Sequence, residues 1–310
     1  MIVYSVILDF NNPRDTYLAY KSLLEQELDN NIEHRIIVVD NGSKKENQEE
    51  NKNDFKKENF TILNNDLDYE KNSNSNSNFL IILDSNLGFT GGNNIAFKLA
   101  INLLADYILL FNNDAIAEKA TLQKLIKYSE MKAITGGAIY DYKDRNNIQT
   151  LGTHTFGWKG YSSVPKELIK EEKIVVASVS GACMLLPVNI LNEVGLFDDN
   201  FYLYSEENEL SKRALINGYP SYTISDAKVY HKGSATLGKS SNLKFYYLIR
   251  NNLYFHKKHS TKLHYFSIIL YQLGINIIKN ISDISKIRTL FIAIYDGITH
   301  NMGKCKRILD

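Results

Sequence analysis

Several features that would assign this 310-residue chain to a common functional class are scarce in its sequence. Only two cysteines occur, Cys183 and Cys305, which favours a reducing location. The formal net charge is +1, so the composition as a whole does not indicate a nucleic-acid partner, and any anion site must be local. The first residues, 1–8, lack the basic region and the longer apolar stretch of a signal peptide. We therefore expect a cytoplasmic protein.

Long hydrophobic runs are also missing. The apolar stretch from Tyr265 to Ile278 contains Gln272 and Asn276, and it is shorter than the roughly 20 residues that a transmembrane helix needs. Hydrophobic residues nevertheless make up 44% of the chain, which is enough for a full core. Length and composition thus predict one large domain, or a domain with an appendage, and no transmembrane helix.

Three hydrophobic segments end abruptly in polar loops. Residues 36–39 run into Asp40-Asn41-Gly42-Ser43, residues 79–83 run into a loop that begins at Asp84, and residues 107–111 run into Asn112-Asn113-Asp114. In open α/β sheets, ligands collect in the crevice beyond the carboxyl ends of the strands. The pattern predicts three strands that bring polar loops to one sheet edge, with Asp114 as the first candidate metal ligand.

Strand-like and helix-like segments alternate up to about residue 140, which predicts a mostly parallel sheet covered by helices on both faces. Residues 60–63 fit either a short strand or an edge. The other predicted segments are strand 3–8, helix 16–27, strand 36–39, a variable helix, strand 79–83, helix 93–104, strand 107–111, helix 122–131, strand 133–140, hairpin-like stretches around 152–161, strand 175–186, a helix from near Ser205 and a strand from 222 to 230.

Composition divides the chain into two predicted parts. Residues 1–240 form the α/β domain, with a surface insertion at about 44–78 that is rich in Glu, Lys and Asn and contains low-complexity Ser/Asn sequence. Residues 241–310 are helical in pattern, aromatic and basic, and we expect them to form a C-terminal helical appendage that associates with a membrane or with the acceptor.

Seven motifs, in this order, resemble those of the family-two glycosyltransferases, in particular the rhamnosyltransferase-like branch. The resemblance spans roughly residues 1 to 255 and implies a GT-A fold, which is a Rossmann-like nucleotide-sugar-binding α/β domain, and an inverting transfer reaction. The motifs are Val38–Ser43, Asn86–Asn94, Leu110–Asp114, Ser180–Met184, Phe197–Phe201, Tyr204–Leu210 and Val229–Gly233.

The resemblance assigns one group of residues to donor binding. Asp40 can accept from the imide N–H of uracil or thymine, and Gly42 lets the backbone pass close to the nucleoside, although an Asp that caps the next turn is the alternative. The segment from Gly88 to Asn94 meets a helix start, whose free N–H groups favour anions, but a tight turn with an Asn cap fits as well. The implied donor-binding residues are Asp40, Asn41, Gly42, Asn86, Gly91, Gly92, Asn93, Asn112, Asn113 and Arg250.

Asn112-Asn113-Asp114 stands where the family has Asp-x-Asp. The resemblance makes Asp114 and His231 the ligands of a Mg²⁺ or Mn²⁺ ion that neutralises the donor diphosphate, and an imidazole suits Mn²⁺ better than Mg²⁺. Taken alone, the residues also fit a strand-end turn and a structural histidine. Asn112 replaces the first carboxylate, which lowers the charge of the site.

Glu206 and Glu207 open a predicted helix, where acidic side chains commonly interact with the helix dipole. In the family the corresponding pair is usually Glu-Asp, and its second acid deprotonates the acceptor hydroxyl. The resemblance therefore makes Glu207, one methylene longer than Asp, the catalytic base. Glu206 and Glu209 are assigned to acceptor binding, with Arg213 as another partner for Glu209.

Three further features have two interpretations each. Trp158, the only tryptophan, can stack on an acceptor sugar or fill a hydrophobic site under a hairpin. Arg250 can contact the leaving diphosphate or form a salt bridge on a helix surface. The basic segment from His256 to His259 can contact an anionic membrane surface or be a solvated helix face.

Together these features predict an inverting, metal-dependent hexosyltransferase. Its donor is a dTDP- or UDP-sugar of the rhamnose, galactose, glucose or N-acetylhexosamine type, and its acceptor is a bacterial surface glycan, lipid-linked at the inner face of the cell membrane. A non-catalytic nucleotide-sugar or glycan-binding subunit is the alternative, because Asn112 and Glu207 depart from the family pattern. A sugar-1-phosphate nucleotidyltransferase is disfavoured, because Asp9–Pro13 lacks its Gly-rich basic loop.

Overall fold

The computed structural model describes residues 1–64, 77–157, 160–233 and 241–309. Trp158 and most of the Ser/Asn-rich stretch therefore lie outside the described residues. The strands are β1 (Ile2–Asp9), β2 (Glu33–Asp40), β3 (Thr61–Asn64), β4 (Phe79–Ile82), β5 (Tyr107–Asn112), β6 (Ala115–Ala117), β7 (Ile134–Asp141), β8 (Ile148–Thr150), β9 (Thr153–Gly157), β10 (Gly160–Ser163), β11 (Lys173–Val176), β12 (Cys183–Pro187) and β13 (Ser221–His231). The helices are α1 (Pro13–Leu24), α2 (Lys45–Lys57), α3 (Gly88–Asn102), α4 (Thr121–Ser129), α5 (Val188–Val194), α6 (Glu206–Ile216), α7 (Asn242–His259), α8 (Lys262–Lys279) and α9 (Ile284–Thr299), with a 3₁₀ helix at Lys166–Lys170.

One large sheet forms the centre of the described structure. Its main path runs β11-β13-β7-β12-β5-β1-β2-β4-β3, with β6 paired to β13 and β8 paired to β7. Strands β5, β1, β2, β4 and β3 are mutually parallel, as are β7 and β13, whereas β12 is antiparallel to both of its neighbours. The predicted α/β class, with a mostly parallel sheet flanked by helices, is confirmed.

The sheet is buried on both faces because its strands alternate their apolar side chains between two cores. In β2, Ile37 and Val39 point into the cluster that contains residues of α3, while Ile36 and Val38 point into the cluster that contains residues of α1, α2 and α4. Continuous apolar runs of this kind are typical of parallel strands covered on both sides. The polar residues that end these runs therefore stand out at the sheet edge.

Three predicted segments differ from the structure. Helix α3 begins at Gly88 rather than at Asn93, so the predicted glycine-rich loop is helical. The predicted strand 175–186 is two strands, β11 and β12, which lie in different parts of the sheet. The first part of the predicted surface insertion is the predicted variable helix, α2, but it buries Phe55 and Asn51 instead of lying wholly on the surface. The polar composition of this segment did not indicate that these two residues of α2 are buried. Strand β3 is an edge strand, in agreement with the prediction for residues 60–63.

The C-terminal helices pack together and against the α/β part. Asn251 of α7 donates from Nδ2 to the backbone oxygens of Phe201, Leu203 and Tyr204 over 3.0, 2.8 and 2.8 Å. These bonds fix the loop that leads to α6. No helix within residues 1–64, 77–157, 160–233 and 241–309 is long and apolar enough to cross a membrane.

The basic segment predicted to contact a membrane, residues 256–259, makes contacts with other parts of the protein. His256 is buried, and Lys258 Nζ lies 2.7 Å from both Asp198 Oδ2 and Glu209 Oε1. His259 Nε2 lies 3.2 Å from the same oxygen of Glu209. This segment therefore joins α7 to α6 through Glu209.

Candidate active site

The carboxyl ends of β1, β2 and β5 lie side by side at one edge of the sheet. The parallel registers pair Asp9 with Asp40 and Leu8 with Asn112. Strand β12 begins at the same edge, where the N–H of Asn112 donates to the backbone oxygen of Ala182 over 3.1 Å. The predicted meeting of polar strand ends is therefore present, at the place where open α/β sheets bind ligands.

The end of β13 brings His231 to Asp114, 117 positions earlier in the sequence. The register pairs His231 with Ala115, and the ring Nε2 lies 3.0 Å from Asp114 Oδ1. The other oxygen of Asp114 accepts from the N–H of Gly233 over 3.2 Å, and Asn112 Nδ2 lies 3.3 Å from His231 Nε2. The two predicted metal ligands thus meet at one point.

Gln149 fixes which ring nitrogen of His231 carries the hydrogen and which has a free lone pair. Its Nε2 donates to the backbone oxygen of His231 over 2.9 Å, which turns its Oε1 toward Nδ1 of the same residue, also at 2.9 Å. Because an amide oxygen only accepts, Nδ1 carries the hydrogen. In the neutral ring the Nε2 lone pair then faces Asp114 Oδ1, and two facing acceptors require a proton or a metal ion between them.

The electrostatics of Asp114 favour the ionised form. Burial raises the pKa of this carboxyl, but the hydrogen bond and charge of His231 lower the pKa more, so it lies below its usual value. Adjacent ligands of an octahedral cation at about 2.1 Å are about 3 Å apart, which fits this oxygen and nitrogen. No group of three or more His, Cys, Asp or Glu side chains in the described part of the chain could hold a metal ion. A cation here would need further oxygens from a ligand.

Asp40 faces the protein interior, and the partly exposed Asn113 bonds the same group of acids. The N–H of Ser43 donates to Asp40 Oδ1 over 2.9 Å, and Asn51 of α2 donates from Nδ2 to Oδ2 of Asp40 and to Oδ2 of Asp9 over 2.8 and 2.7 Å. Asn113 donates from Nδ2 to Asp9 Oδ1 over 3.1 Å. Because Asp40 is fully buried, it has no exposed oxygen for a base, and it supports the loop after β2 instead of the predicted direct contact.

Asn41 and Asn86 hold the start of α3. Asn41 donates from Nδ2 to the backbone oxygen of Gly88 over 2.9 Å and accepts from the N–H of Leu87 over 3.0 Å. Asn86 accepts from the N–H of Gly88 over 2.8 Å. These two predicted donor-binding amides therefore hold the loop between β4 and α3 in place at this sheet edge.

The N–H groups at the start of α3 already have acceptors. Those of Phe89 and Thr90 donate to the backbone oxygen of Tyr202 over 2.7 and 3.3 Å. Asn93 is buried in the same helix and donates from Nδ2 to the backbone oxygen of Phe89 over 2.8 Å. The predicted anion site at this helix start is thus filled by a protein carbonyl, and the Asn93 amide bonds back to the first turn of its own helix.

Two glycines allow close approaches between the loops of the edge. Gly42 has φ +71°, and a Cβ there would lie 2.4 Å from the carbonyl carbon of Ser85. A Cβ on Gly92 would lie 2.5 Å from Leu8 Cδ1, whereas Gly91, in the same turn of α3, would meet only its neighbour Leu87 at 2.9 Å. Gly42 therefore has a conformational and a steric reason to be glycine, because it meets backbone atoms at a positive φ, whereas the contacts at Gly91 and Gly92 are with side chains.

Glu206 and Glu207 are the first residues of α6, as predicted. A Cβ on Gly181 would lie 3.8 Å from Glu207 Cβ, so Glu207 lies over Gly181. The next residue, Ala182, accepts the hydrogen bond from Asn112 described above. The acid pair therefore lies at the same sheet edge as Asp114 and His231.

The two glutamates differ in their electrostatics. Burial raises the pKa of Glu207 to about 7. Burial, together with the charge of Glu207, raises the pKa of Glu206 well above its usual value. Glu206 Oε2 is buried without a hydrogen-bond partner among the described residues. Burial and the charge of Glu207 therefore favour the protonated form of Glu206, while Glu207 changes its protonation state near pH 7, as a general base requires.

Comparison with known families identifies the fold. Residues 6–195 match the model of Glycosyl transferase family 2. The chain belongs to glycosyl transferase family 2. No curated protein sequence matches it significantly.

Solved structures with a similar GT-A-like fold support this assignment. They include GalNAc-T7 with UDP, GalNAc and Mn²⁺ (TM-score 0.62, 14% identity), residues 1–349 of S. aureus TarS (0.56, 14%) and the mannosyltransferase PcManGT from Pyrobaculum calidifontis with GDP-Man and Mn²⁺ (0.56, 11%). The alignments cover 83%, 97% and 96% of this chain and 48%, 82% and 75% of the other chains. The chain therefore spans about half of GalNAc-T7, and at these identities the likeness shows the fold.

In this family 2 glycosyltransferase, Arg250 lies in the interior. It is fully buried, and its guanidinium donates to the backbone oxygens of Gly303 and Phe201 and to Asn251 Oδ1 over 2.7, 3.1 and 2.9 Å. The predicted diphosphate contact does not fit this position, because the guanidinium has no exposed edge. Its contacts instead fix the loop before α6.

Glu209 is also used internally. It is fully buried, its Oε2 accepts from Arg213 Nε over 2.8 Å, and its Oε1 accepts from Lys258. Burial raises the pKa of Glu209, but Arg213, Lys258 and His259 lower it by more than burial raises it. The pKa therefore lies below its usual value, and the carboxylate stays charged. The predicted pairing with Arg213 is present, and no oxygen is left for the predicted acceptor contact.

Tyr161, which no sequence pattern indicated, lies beside the acid pair of this glycosyltransferase. Burial, and the charges of Glu207 and Glu206, raise the pKa of its hydroxyl, while the neighbouring Ser205 and Asn252 lower it. The hydroxyl is buried, and it makes no hydrogen bond of ordinary geometry in the described structure. Its ring stacks on His256 with the centroids 6.2 Å apart. Trp158, the predicted aromatic contact of the same hairpin, lies outside the described residues.

Proposed function

We propose that the protein is an inverting glycosyltransferase that moves a hexose from a UDP- or dTDP-sugar to a hydroxyl of a lipid-linked bacterial surface glycan, as in the rhamnosyltransferase-like branch. One observation carries the proposal: the sheet edge that joins Asp114 to His231 also bears Glu207, which titrates near neutral pH. A cation-binding pair and a base at one edge are what a single displacement at a sugar carbon needs.

Glu207 acts as the base. Its carboxylate takes the proton from the acceptor hydroxyl as that oxygen attacks the anomeric carbon from the face opposite the leaving diphosphate, so the configuration inverts. A pKa of about 7 lets it be deprotonated at working pH and still hold the proton after transfer. Asn208, which donates to Glu207 Oε1 over 3.2 Å, orients the carboxylate.

Asp114 and His231 hold the divalent cation. When bound, Mn²⁺ or Mg²⁺ stabilises the negative charge that develops on the leaving diphosphate. Gln149 keeps the Nε2 lone pair of His231 toward the site, and Gly233 holds Asp114 in place. Two of the similar solved structures contain Mn²⁺, which supports this assignment.

The donor nucleotide lies along the loops after β2 and β4. Gly42, Gly91 and Asn112 keep partial exposure at this edge, while Asn41 and Asp40 form the wall behind it. UDP, UDP-GlcNAc and GDP-Man are the nucleotide and nucleotide sugars named in the similar solved structures. We choose a uracil or thymine nucleotide because of the family-two motifs described above.

Glu206 and Tyr161 contact the acceptor. Each has a buried oxygen that lacks a partner among the described residues, and both lie next to Glu207. A neutral carboxyl and a phenol can each donate to one hydroxyl of a sugar and accept from another. Binding of an acceptor sugar would satisfy both groups.

Cleavage of nucleotide sugars tests the proposal. A panel of UDP- and dTDP-hexoses is incubated with the protein, with and without Mn²⁺, and released nucleoside diphosphate is measured. We expect cation-dependent release from at least one donor, and a product of inverted anomeric configuration by NMR when an acceptor is supplied. The proposal would be contradicted if the protein bound nucleotide but released no nucleoside diphosphate from any donor, and if the wild-type and Glu207→Gln proteins behaved alike. That result would favour a binding subunit.

A further inference from the structure

Helix α8 carries apolar side chains on both its inner and its outer side, unlike an ordinary water-facing helix, and its inner side packs Ile269 and Leu273 against the cluster formed with α7. Its buried residue is Ile268, and on the same side Gln272 Nε2 lies 3.5 Å from Asn252 Oδ1 of α7. Large apolar side chains are exposed elsewhere on the helix. They include Leu263 (81% exposed), Phe266, Leu270 and Ile278 (72%). A helix that remained in water would be expected to turn these groups inward.

The exposed apolar surface continues through the turn after α8 and along α9. Ile281 and Ile284 are 79% and 82% exposed, and Phe291 and Ile298 follow on α9. The inner side of α9, which includes Leu290, packs into the cluster formed with α7. We call the exposed apolar side chains of α8, this turn and α9 the apolar face. Contiguous apolar surface of this extent marks an interaction site.

Basic side chains border the apolar face. Lys262 and Lys279 are exposed at the two ends of α8, Arg288 is exposed on α9, and Lys304 and Lys306 are exposed after it. The border is therefore cationic, as in helices that lie on anionic bilayers.

Few acidic groups offset this charge. Between residues 260 and 309 the acidic residues are Asp283 and Asp296. Asp283 caps α9 by accepting from the N–H of Lys286 over 3.1 Å, and Asp296 is fully buried and lies 2.7 Å from Arg307. A second copy of the chain would bring the same cationic borders together, which is unfavourable, whereas an anionic bilayer complements both the charge and the apolar surface.

We propose that α8 and α9 dock on an anionic lipid bilayer, with the apolar face in the boundary between headgroups and acyl chains. The inference differs from the earlier expectation for residues 256–259, which are held by Asp198 and Glu209. It deepens the lipid-linked acceptor proposed above and rests on that proposal for its purpose. Docking itself needs no donor or metal, so its failure would leave donor cleavage standing.

Vesicle co-sedimentation of the full chain tests the docking. The vesicles are phosphatidylcholine with or without about 30% phosphatidylglycerol. Phe266→Ser/Leu270→Ser/Ile278→Ser is compared with a matched control, Leu104→Ser/Leu215→Ser/Ile216→Ser, which removes three exposed apolar side chains from the α/β part. Circular dichroism and donor cleavage confirm that each variant is folded.

We expect the wild type and the control to bind the anionic vesicles, more weakly at high salt, and the α8 variant to bind about tenfold less or worse. Lys262→Glu/Lys279→Glu should weaken binding only to the anionic vesicles. A wild type that stays in the supernatant, or an α8 variant that binds like the control, would overturn the proposal. A wild-type dimer in sedimentation equilibrium without vesicles would also overturn the proposal if the α8 variant were a monomer. The apolar face would then be covered by a second copy.

Discussion

Asn51 donates its side-chain amide to two carboxylates, 2.7 Å from Asp9 Oδ2 and 2.8 Å from Asp40 Oδ2. It thereby joins the ends of β1 and β2 to helix α2. Burial raises the pKa of Asp9, the Asn51 hydrogen bond lowers it, and the charge of Asp40 raises it again. The amide therefore holds together two buried acids that would otherwise repel each other.

Replacing Asn51 with Leu should destabilise the protein. The change removes the shared donor from two buried carboxyls, and we expect the free energy of unfolding at pH 7 to fall by about 2–4 kcal/mol. Urea denaturation measures it, with Asn53→Leu on the exposed side of the same helix as the control. Loss of the amide raises the folded-state pKa of Asp9 further, so the deficit should shrink as the pH is lowered and the acid becomes protonated. Equal stability of the two variants would contradict this role.

Arg250→Lys should affect stability and leave donor binding unchanged. Lysine cannot reproduce the fork that reaches Gly303, Phe201 and Asn251, and it leaves buried acceptors unsatisfied, so we expect a loss of about 2–4 kcal/mol in urea denaturation. Arg288→Lys, at an exposed position of α9, is the control. Normal stability combined with a raised KM for the donor would restore the diphosphate contact predicted from the sequence.

Gln149→Leu should weaken the response to Mn²⁺. The hydrogen bond that fixes the His231 ring is lost, and supports of this kind are typically worth 10–100-fold in metal affinity. The Mn²⁺ concentration that gives half-maximal donor cleavage should rise by about that factor. Gln123→Leu, whose amide bonds Asp29 away from the site, is the control. An unchanged Mn²⁺ titration would mean that the ring needs no such support.

Asp114→Asn should abolish the cation dependence of donor cleavage. The substitution keeps the shape of the side chain and removes the charge that pairs with the cation, so activity should fall at every Mn²⁺ concentration. Donor cleavage is titrated with Mn²⁺ for both proteins. A variant that responds to Mn²⁺ as the wild type does would show that the cation binds elsewhere.

The sequence could predict the parts of the site that lie at element ends. Asn112 and Asp114 follow an apolar run, and Glu206 follows a helix-start signal, so local pattern placed both groups. Asn51 and Gln149 left no such signal. Each is a polar residue whose role depends on a partner contributed by another segment, with Gln149 lying 82 positions before His231.

Arg250 shows the opposite limit. The family motif marked the residue, but the motif does not show whether a guanidinium faces a ligand or the carbonyls of a nearby loop. In the same way, the exposure of the apolar side of α8 is a property of packing against α7 that helical periodicity does not give.

The pH dependence of donor transfer in Glu207→Gln and Glu206→Gln tests the central claim most directly. Because the pKa of Glu207 is raised to about 7 and the base works when deprotonated, the wild-type rate should rise with pH and reach half its maximum near there. The raised pKa of Glu206 favours its protonated form, which glutamine resembles, so the Glu206→Gln variant should keep most of the rate and the same profile. The transfer rate of the Glu207→Gln variant should be about a hundredfold to ten-thousandfold lower. The rate should also no longer rise with pH. An active Glu207→Gln protein with an unchanged profile, beside an inactive Glu206→Gln protein, would contradict the account.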